Sequence, residues 1–279
     1  MAMQVILLRD GMKKYLGILL DLDGSVYVGR NPIAGAREAL ERFRNKGLKI
    51  LFLTNNSTMT SEEYSEKLRK MGIETDPNQF LTSGEAASQY ILEEWGPSRV
   101  LAITGNGFKE YCKRMKHEVL TVEDWRLADC VVIGLDKDFN YAKLKAAYRA
   151  IINGARFIAT NIDSTIPSED GLDPGAGSIV AAVREAVGKE PIVVGKPSRI
   201  IMDLALKRLS LNVNEILVVG DRVETDVAAG KVIGADTALL LSGATTKEDL
   251  EKIPQENRPD YISENLLELY KLLERRNLI

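Results

Sequence analysis

Histidine is nearly absent from this 279-residue chain, and the single example is His117. It lies in a charged stretch, KRMKHEV, and reads as a solvated surface residue, so histidine-based acid/base catalysis is not expected. Cysteine is almost as scarce. Cys112 and Cys130 are the only two, too few for a disulfide framework and suited to a reducing cytoplasm. Each sits in an apolar or mixed segment, where a structural role is the expectation. No apolar run approaches the roughly 20 residues of a membrane span, so no membrane partner is expected. There is no excess of positive charge either: the formal net charge is −3, which argues against a nucleic-acid surface. No Walker A sequence is present, so nucleotide binding of that type is unsupported. The apolar patch at 5–8 is too short for a signal-peptide core and no small-residue cleavage site follows it. Met12 offers an alternative start, with residues 1–11 an N-terminal extension.

What is present is ordinary globular material. Hydrophobic residues make up 45% and charged residues 28%, and the length suffices for one large or two ordinary domains. The stretch LGILLDLDGSVY, at 16–27, organises the rest. Its apolar opening suits a strand buried on both faces of a parallel sheet. It ends in Asp21, Leu22, Asp23 and Gly24. Two carboxylates two residues apart share one side of an extended chain, and like charges so close call for a cation between or beside them. Mg²⁺, with its preference for hard oxygen ligands, is the usual one. Gly24 allows a sharp turn. An acidic turn closing a strand is the plainer alternative.

The remaining chain alternates strands and helices. Residues 34–46 read as an amphipathic helix stopped by Gly47, and 48–53 as a second buried strand ending in Thr54, Asn55 and Asn56. Thr60 or Ser61 caps a helix running to Met71, and Asp76, Pro77 and Asn78 mark a turn. A second group of units then begins: strands at 100–103, 130–133 and 156–159, and helices at 108–115 and 141–152. Residues 161–177 show little pattern. Gly175 to Ser178 reads as a tight turn with Ser178 capping a helix to Val187, which Gly188 stops. A buried strand at 192–194 leads to Gly195, Lys196 and Pro197. Ser198 opens a helix, 216–219 is a strand ending in Gly220 and Asp221, and RVETDVAAGKVIGA starts a further helix. A short strand at 237–241 and a helix over 263–273 complete the chain.

Four expected strands thus end in chemically useful residues: Asp21 with Asp23, Thr54 with Asn55, Lys196, and Asp221. In an open parallel sheet, ligands bind beyond the carboxyl ends of the strands, so the four groups point to one site. Two of them precede the 81–190 segment and two follow it. The expectation is an α/β fold, with a Rossmann-like parallel-sheet core at 12–80 and 191–279 and an α/β cap domain, 81–190, inserted into it. Glycines and a proline at 82–84 and 188–191 suit hinges. A carboxylate nucleophile, a second carboxyl able to give a proton, a cation site, a hydroxyl and an ammonium together suit phosphoryl transfer.

These motifs resemble the haloacid dehalogenase (HAD) superfamily of phosphatases, and within it the branch containing NagD and the para-nitrophenyl phosphatase, phosphoglycolate phosphatase and pyridoxal phosphatase enzymes. Asp21-Leu22-Asp23-Gly24 matches the first family motif, Thr54 with Asn55 and Asn56 the second, Lys196 in GKPS the third, and Gly220-Asp221 through Thr225-Asp226 the fourth. The resemblance implies that Asp21 attacks phosphorus and forms an aspartyl-phosphate. Asp23 protonates the leaving alcohol and later activates water. Mg²⁺ is held by the Asp21 side chain, the Asp23 backbone carbonyl and Asp221, and Asp226 orders metal-bound water or the lysine. Thr54 and the amides of Asn55 and Asn56 hold phosphate oxygens, whose charge Lys196 neutralises. In the cap, Asn161, Asp163 and the 175–178 segment match the substrate loop. Ile166 stands where vertebrate pyridoxal phosphatases carry a substrate-contacting histidine, which weakens a vitamin B6 phosphate reading. The resemblance implies a small phosphorylated metabolite as the partner, and it allows a homodimer through the cap.

Each motif also has a bland explanation: a turn at Thr54 and Asn55, a loop lysine at 196, an acidic helix start at 221. Four such coincidences on four strand ends would be needed together. The alternative from another class is a receiver-like module that holds a phosphoaspartate without turnover. Asp23 discriminates, because a receiver has no acid at that place and no inserted domain of this size.

Overall fold

The computed structural model describes residues 14–168 and 171–279. The extension expected at 1–11 and the alternative start at Met12 lie outside them. Two parallel sheets organise the described residues. The first has six strands in the order Tyr261–Ser263, Asp236–Leu240, Ile216–Gly220, Gly17–Leu20, Lys49–Thr54, Phe80–Thr82. Its central strands, GILL, KILFLT and ILVVG, are near-continuous apolar runs, which fits burial on both faces. Helices Ala36–Asn45, Ser61–Lys70 and Leu266–Arg275 cover one face, with Phe43, Leu68, Leu269 and Leu273 in its core. Helices Ser83–Trp95, Arg199–Leu209 and Ala228–Ile233 cover the other, through Ala86, Ile91, Ile201, Met202 and Ala229.

The second sheet has five strands in the order Ile192–Val193, Arg156–Ala159, Cys130–Ile133, Arg99–Ile103, Glu118–Leu120. Helices Tyr141–Ile152 and Ala176–Val187 cover one of its faces. The opposite face shares a core with the first sheet. Val100, Cys130, Val132 and Ile158 belong to the same buried cluster as Leu19, Leu51 and Leu53, joined through Ala86, Ile91, Phe108 and Cys112. Where the Asn106–Arg114 helix begins, the Gly107 amide donates to the Thr58 carbonyl at 3.0 Å. A Cβ on Gly107 would lie 2.6 Å from Met59 backbone, so only glycine permits this approach. The loop after Lys49–Thr54 is thereby held against the second sheet's layer.

Helix boundaries follow local chemistry. Thr60 forms a capping box with Glu63: the Glu63 amide donates to Thr60 Oγ1 at 3.3 Å and the Thr60 amide to Glu63 Oε2 at 2.7 Å. Ser198 caps Arg199–Leu209, and left-handed Gly188 ends Ala176–Val187.

The structure departs from the sequence reading in several places. The strand after residue 191 is not part of the first sheet, because Ile192 and Val193 pair with Ile158 and Ala159 at the edge of the second. Leu81 lies in a first-sheet strand, and residues 82–84 begin a helix, where the Glu85 amide donates to Thr82 Oγ1 at 3.0 Å. The patternless 161–177 stretch contains an antiparallel hairpin, Thr165–Ser168 with Gly171–Pro174. Ser178 is not a cap: its helix starts at Ala176, after Gly175, and the Ser178 hydroxyl donates to the Ser164 carbonyl. The tail helix starts at Leu266, because the residues before it form the edge strand Tyr261–Ser263.

His117 is buried, not solvated. Lys116, at φ 63°, turns the chain after the preceding helix. The Ser98 amide donates to His117 Nδ1 at 3.1 Å, so Nε2 carries the proton that meets the Ser88 carbonyl at 3.0 Å. The ring is a structural tie. Cys112 and Cys130 are buried free thiols, pushed up by that burial to about 12 and about 11 respectively. Among the described residues, no helix is long and apolar enough to cross a membrane.

Candidate active site

One pocket lies at the carboxyl ends of the first sheet's strands. Asp21, Asp23, Thr54, Asn55, Asn56, Asn161, Asp163, Lys196, Asp221 and Asp226 all line it, so these candidates come to one place. Asp21 follows the Gly17–Leu20 strand, Thr54 ends Lys49–Thr54, and Asp221 follows Ile216–Gly220. Lys196 arrives from the second sheet's edge.

Lys196 is the electrostatic centre. Its ammonium donates to Asp21 Oδ1 at 2.6 Å, to Asp226 Oδ1 at 2.6 Å and to the Leu53 carbonyl at 3.0 Å. The lysine and Asp226 side chains are each 3% exposed and that of Asp21 is 12% exposed. Burial pulls the ammonium's pKa down, but the two carboxylates outweigh it and hold Lys196 charged, above its ordinary value.

Asp21, Asp221 and Asp226 present carboxylate oxygens within 4.8 Å of one another. One lysine among three carboxylates leaves two negative charges in a site nearly closed to water. The strain registers in the acids. Burial, then neighbouring carboxylates, raises Asp21 well above the usual carboxylate range, and burial with the Asp226 charge pushes Asp221 up to about 6. A divalent cation with hard oxygen ligands fits this donor set and balances that charge. Asp221 is also positioned by its surroundings. The Ala244 amide donates to its Oδ2 at 2.5 Å. A Cβ on Gly24, which sits at φ 87°, would lie 2.2 Å from that oxygen, and one on Gly243 would lie 2.0 Å from it. Asp226 is held by the Arg222 amide, which donates to Oδ2 at 3.1 Å.

The Asp23 side chain stands apart from the three-carboxylate cluster. Burial raises its pKa, against the opposing pull of Lys67. The Tyr27 hydroxyl donates to its Oδ2 at 3.1 Å.

The expected phosphate cradle is only partly open. The Asn56 amide donates to Thr54 Oγ1 at 3.1 Å, while Asn56 Oδ1 accepts from the Thr58 amide and hydroxyl. Asn56 thereby shapes the loop. Asn55 Nδ2 donates to the Lys196 carbonyl at 3.0 Å and to both oxygens of Asp163. Asn161 is a brace: its Nδ2 donates to the Asn55 carbonyl at 2.7 Å and its Oδ1 accepts from the Asp163 amide at 3.1 Å. Ile166 and Ala176 reach the pocket wall, but Ser178 does not. Leu135, Thr165 and Arg222 also line it and were not singled out in the sequence, and Thr225 of the fourth motif lines it too. For Arg222 a signal existed, since it directly follows Asp221.

Comparison with known proteins agrees with this geometry. The chain matches a family model described as haloacid dehalogenase-like hydrolase over residues 18–118, and a HAD-hydrolase-like model over residues 193–269. It is 39% identical to the acid sugar phosphatase of Staphylococcus haemolyticus over 255 residues, 91% of this chain and 95% of that one. The p-nitrophenyl phosphatase from Archaeoglobus fulgidus superposes with a TM-score of 0.87 at 35% identity, covering 93% of this chain and all of that one. The glycerol phosphate phosphatase from Mycobacterium tuberculosis in complex with magnesium gives a TM-score of 0.85 at 33% identity, covering 93% of this chain and 78% of that one.

Proposed function

The chain belongs to the haloacid dehalogenase-like hydrolases, and from that membership we propose that it is a Mg²⁺-dependent phosphatase of small phosphomonoesters acting through an aspartyl-phosphate. The observation that carries the reading is Asp21 held 2.6 Å from buried Lys196 beside two further carboxylates, with the Asp23 side chain lining the same pocket. A receiver-like module that keeps its phosphoaspartate has no use for that second acid.

Asp21 attacks phosphorus, and the phosphoryl group passes to its carboxylate as the bond to the leaving oxygen breaks. Asp23 gives its proton to that oxygen, then takes one from the water that hydrolyses the aspartyl-phosphate. Lys196 opposes the burial that favours the neutral form of Asp21 and offsets phosphoryl charge, and Asp226 anchors the lysine. Asp21 and Asp221, with the Asp23 carbonyl, are the proposed Mg²⁺ ligands; when bound, the ion neutralises phosphoryl oxygens and orients them for in-line attack. Thr54 and the Asn55 main-chain amide would face the phosphoryl oxygens, and the Asn56 amide would join them on release from Thr54 Oγ1.

Sugar, glycerol, glycolate and aryl phosphates are the proposed substrates, in line with what the similar proteins are named for. Residues 81–190 serve as the cap in this reading, with the Asp163 loop facing the leaving group, and the cap offers the surface for a homodimer. The two buried thiols suit a cytoplasmic location. The test is turnover on a panel of phosphorylated metabolites with Mg²⁺. Release of phosphate from small esters is expected, and its absence from every ester overturns the reading.

A further inference from the structure

Two buried or half-buried titratable groups beside the site have no part in the chemistry above. Tyr27 is fully buried. The chain folds tightly from Leu22 so that the Val26 amide donates to the Leu22 carbonyl at 2.8 Å and the Gly24 amide to the Tyr27 carbonyl at 2.8 Å. This returns the Tyr27 side chain to Asp23, four residues back, where its hydroxyl donates to Oδ2 at 3.1 Å. The short hairpin of Tyr27–Val28 with Asn31–Pro32 fixes the tyrosine's backbone.

Lys67 comes from the Ser61–Lys70 helix. Its ammonium lies 3.7 Å from the Tyr27 ring centroid. It is half-buried, and the charge that acts on it is the Asp23 carboxylate. A half-desolvated cation over an aromatic face draws electron density from the ring, which makes a phenol a stronger donor.

We propose that Tyr27 and Lys67 are positioning residues for proton transfer: Tyr27, backed by Lys67, occupies Oδ2 of Asp23 and leaves Oδ1 to carry and deliver the proton. The inference rests on the phosphatase reading above. In the step concerned, the bond from phosphorus to the leaving oxygen breaks with its electron pair on oxygen. The Oδ1 proton joins that oxygen, and phosphorus bonds to Asp21. A carboxyl group free to rotate would present either oxygen, whereas one tied at Oδ2 presents the proton in one direction.

The test uses the full chain with Mg²⁺ and a series of aryl phosphates of increasing leaving-group basicity, with glycerol phosphate at the basic end. Release of the leaving group is followed in a single turnover. Tyr27→Phe should slow glycerol release about 10- to 30-fold, yet 4-nitrophenol release less than about 3-fold, because an acidic phenol leaves without a proton. Lys67→Met should shift the series the same way by a smaller factor, and Lys67→Arg, which keeps a cation over the ring, should restore it. Affinity for the esters should stay within about 2-fold throughout. A uniform loss across the series, or no loss in Tyr27→Phe, overturns the proposal while the wild type remains an active phosphatase. An inactive wild type overturns the phosphatase reading itself. If Tyr27→Phe does not fold, the half-exposed Lys67 pair of variants decides alone.

Discussion

The side-chain amide of Asn55 spans both carboxylate oxygens of Asp163, each at 3.1 Å, although 108 positions separate them. Asn55 follows a strand of the first sheet and Asp163 follows one of the second. Burial raises the Asp163 pKa, against the opposing effect of the Asn55 amide. Removing the carboxylate frees that amide and changes the wall of the pocket, but touches neither Asp21 nor Lys196. Asp163→Ala should therefore alter kcat/KM unevenly among phosphomonoesters, by about 10-fold or more between extremes, with 4-nitrophenyl phosphate least affected. An equal factor for every ester would mean the loop does not select.

Asp21→Asn preserves size and hydrogen bonding but removes the attacking charge. Turnover should fall at least ~10³-fold, about 4 kcal/mol of barrier, with an unchanged circular dichroism spectrum. Near-normal turnover in the folded variant would refute the nucleophile assignment.

Lys196→Met leaves Asp21 and Asp226 buried without their shared cation. All substrates should be lost together, and the metal-free protein should lose about 3 kcal/mol of stability. In Lys196→Met/Asp226→Asn, removing one of the stranded charges should recover part of that stability and none of the activity. Denaturant unfolding of the three proteins distinguishes these outcomes from a general weakening.

Chelation should abolish turnover and added Mg²⁺ restore it. Binding is visible without turnover: at a hundredfold excess over Kd, Mg²⁺ should stabilise the fold by about 2.7 kcal/mol, read as a rise in Tm, and Asp221→Asn should remove that rise. Ca²⁺, with its looser shell, should raise Tm yet restore little turnover. Full activity in excess chelator contradicts the assignment.

Gly243→Ala places a Cβ 2.0 Å from Asp221 Oδ2 and 2.7 Å from the Gly24 Cα, against groups that cannot yield without moving the carboxylate. Turnover at limiting Mg²⁺ should drop at least ~10-fold and recover in part at high Mg²⁺. A Mg²⁺ dependence equal to wild type would show that the carboxylate does not need this gap.

Much of this was legible in the sequence because chemistry and hydrophobicity coincide at the strand ends. ILL before Asp21, ILFL before Thr54 and ILVV before Gly220-Asp221 each announce a buried strand and the side chain it delivers. The misplaced strand at 192–193 has the same apolar look, and two residues carry no information about which sheet they join. The Ser83–Trp95 helix carries little apolar pattern because its buried face is mostly small, Ser83, Gly84, Ala86, Ala87 and Ser88, with Ile91 the one large buried side chain on it. The hairpin at 165–174 has an exposed second strand and contains Pro167 and Pro174, so neither alternation nor apolar content marks it. His117 was misjudged from its charged neighbours, since a turn at Lys116, not composition, sends the ring inward. Tyr27 and Lys67 were invisible as site residues because only the fold brings residue 67 over residue 27.

Lys196 follows the edge strand of the second sheet. Val193 pairs with Ala159, the Val194 amide donates to the Ala159 carbonyl at 3.0 Å, and the Gly195 amide to the Thr160 carbonyl at 2.8 Å. One residue later the lysine side chain is anchored among Asp21, Leu53 and Asp226. The second sheet thus delivers the cation for carboxylates that the first sheet delivers, and the two sheets also share one buried core. The charge balance at the floor of the pocket therefore exists only when both sheets are in place together.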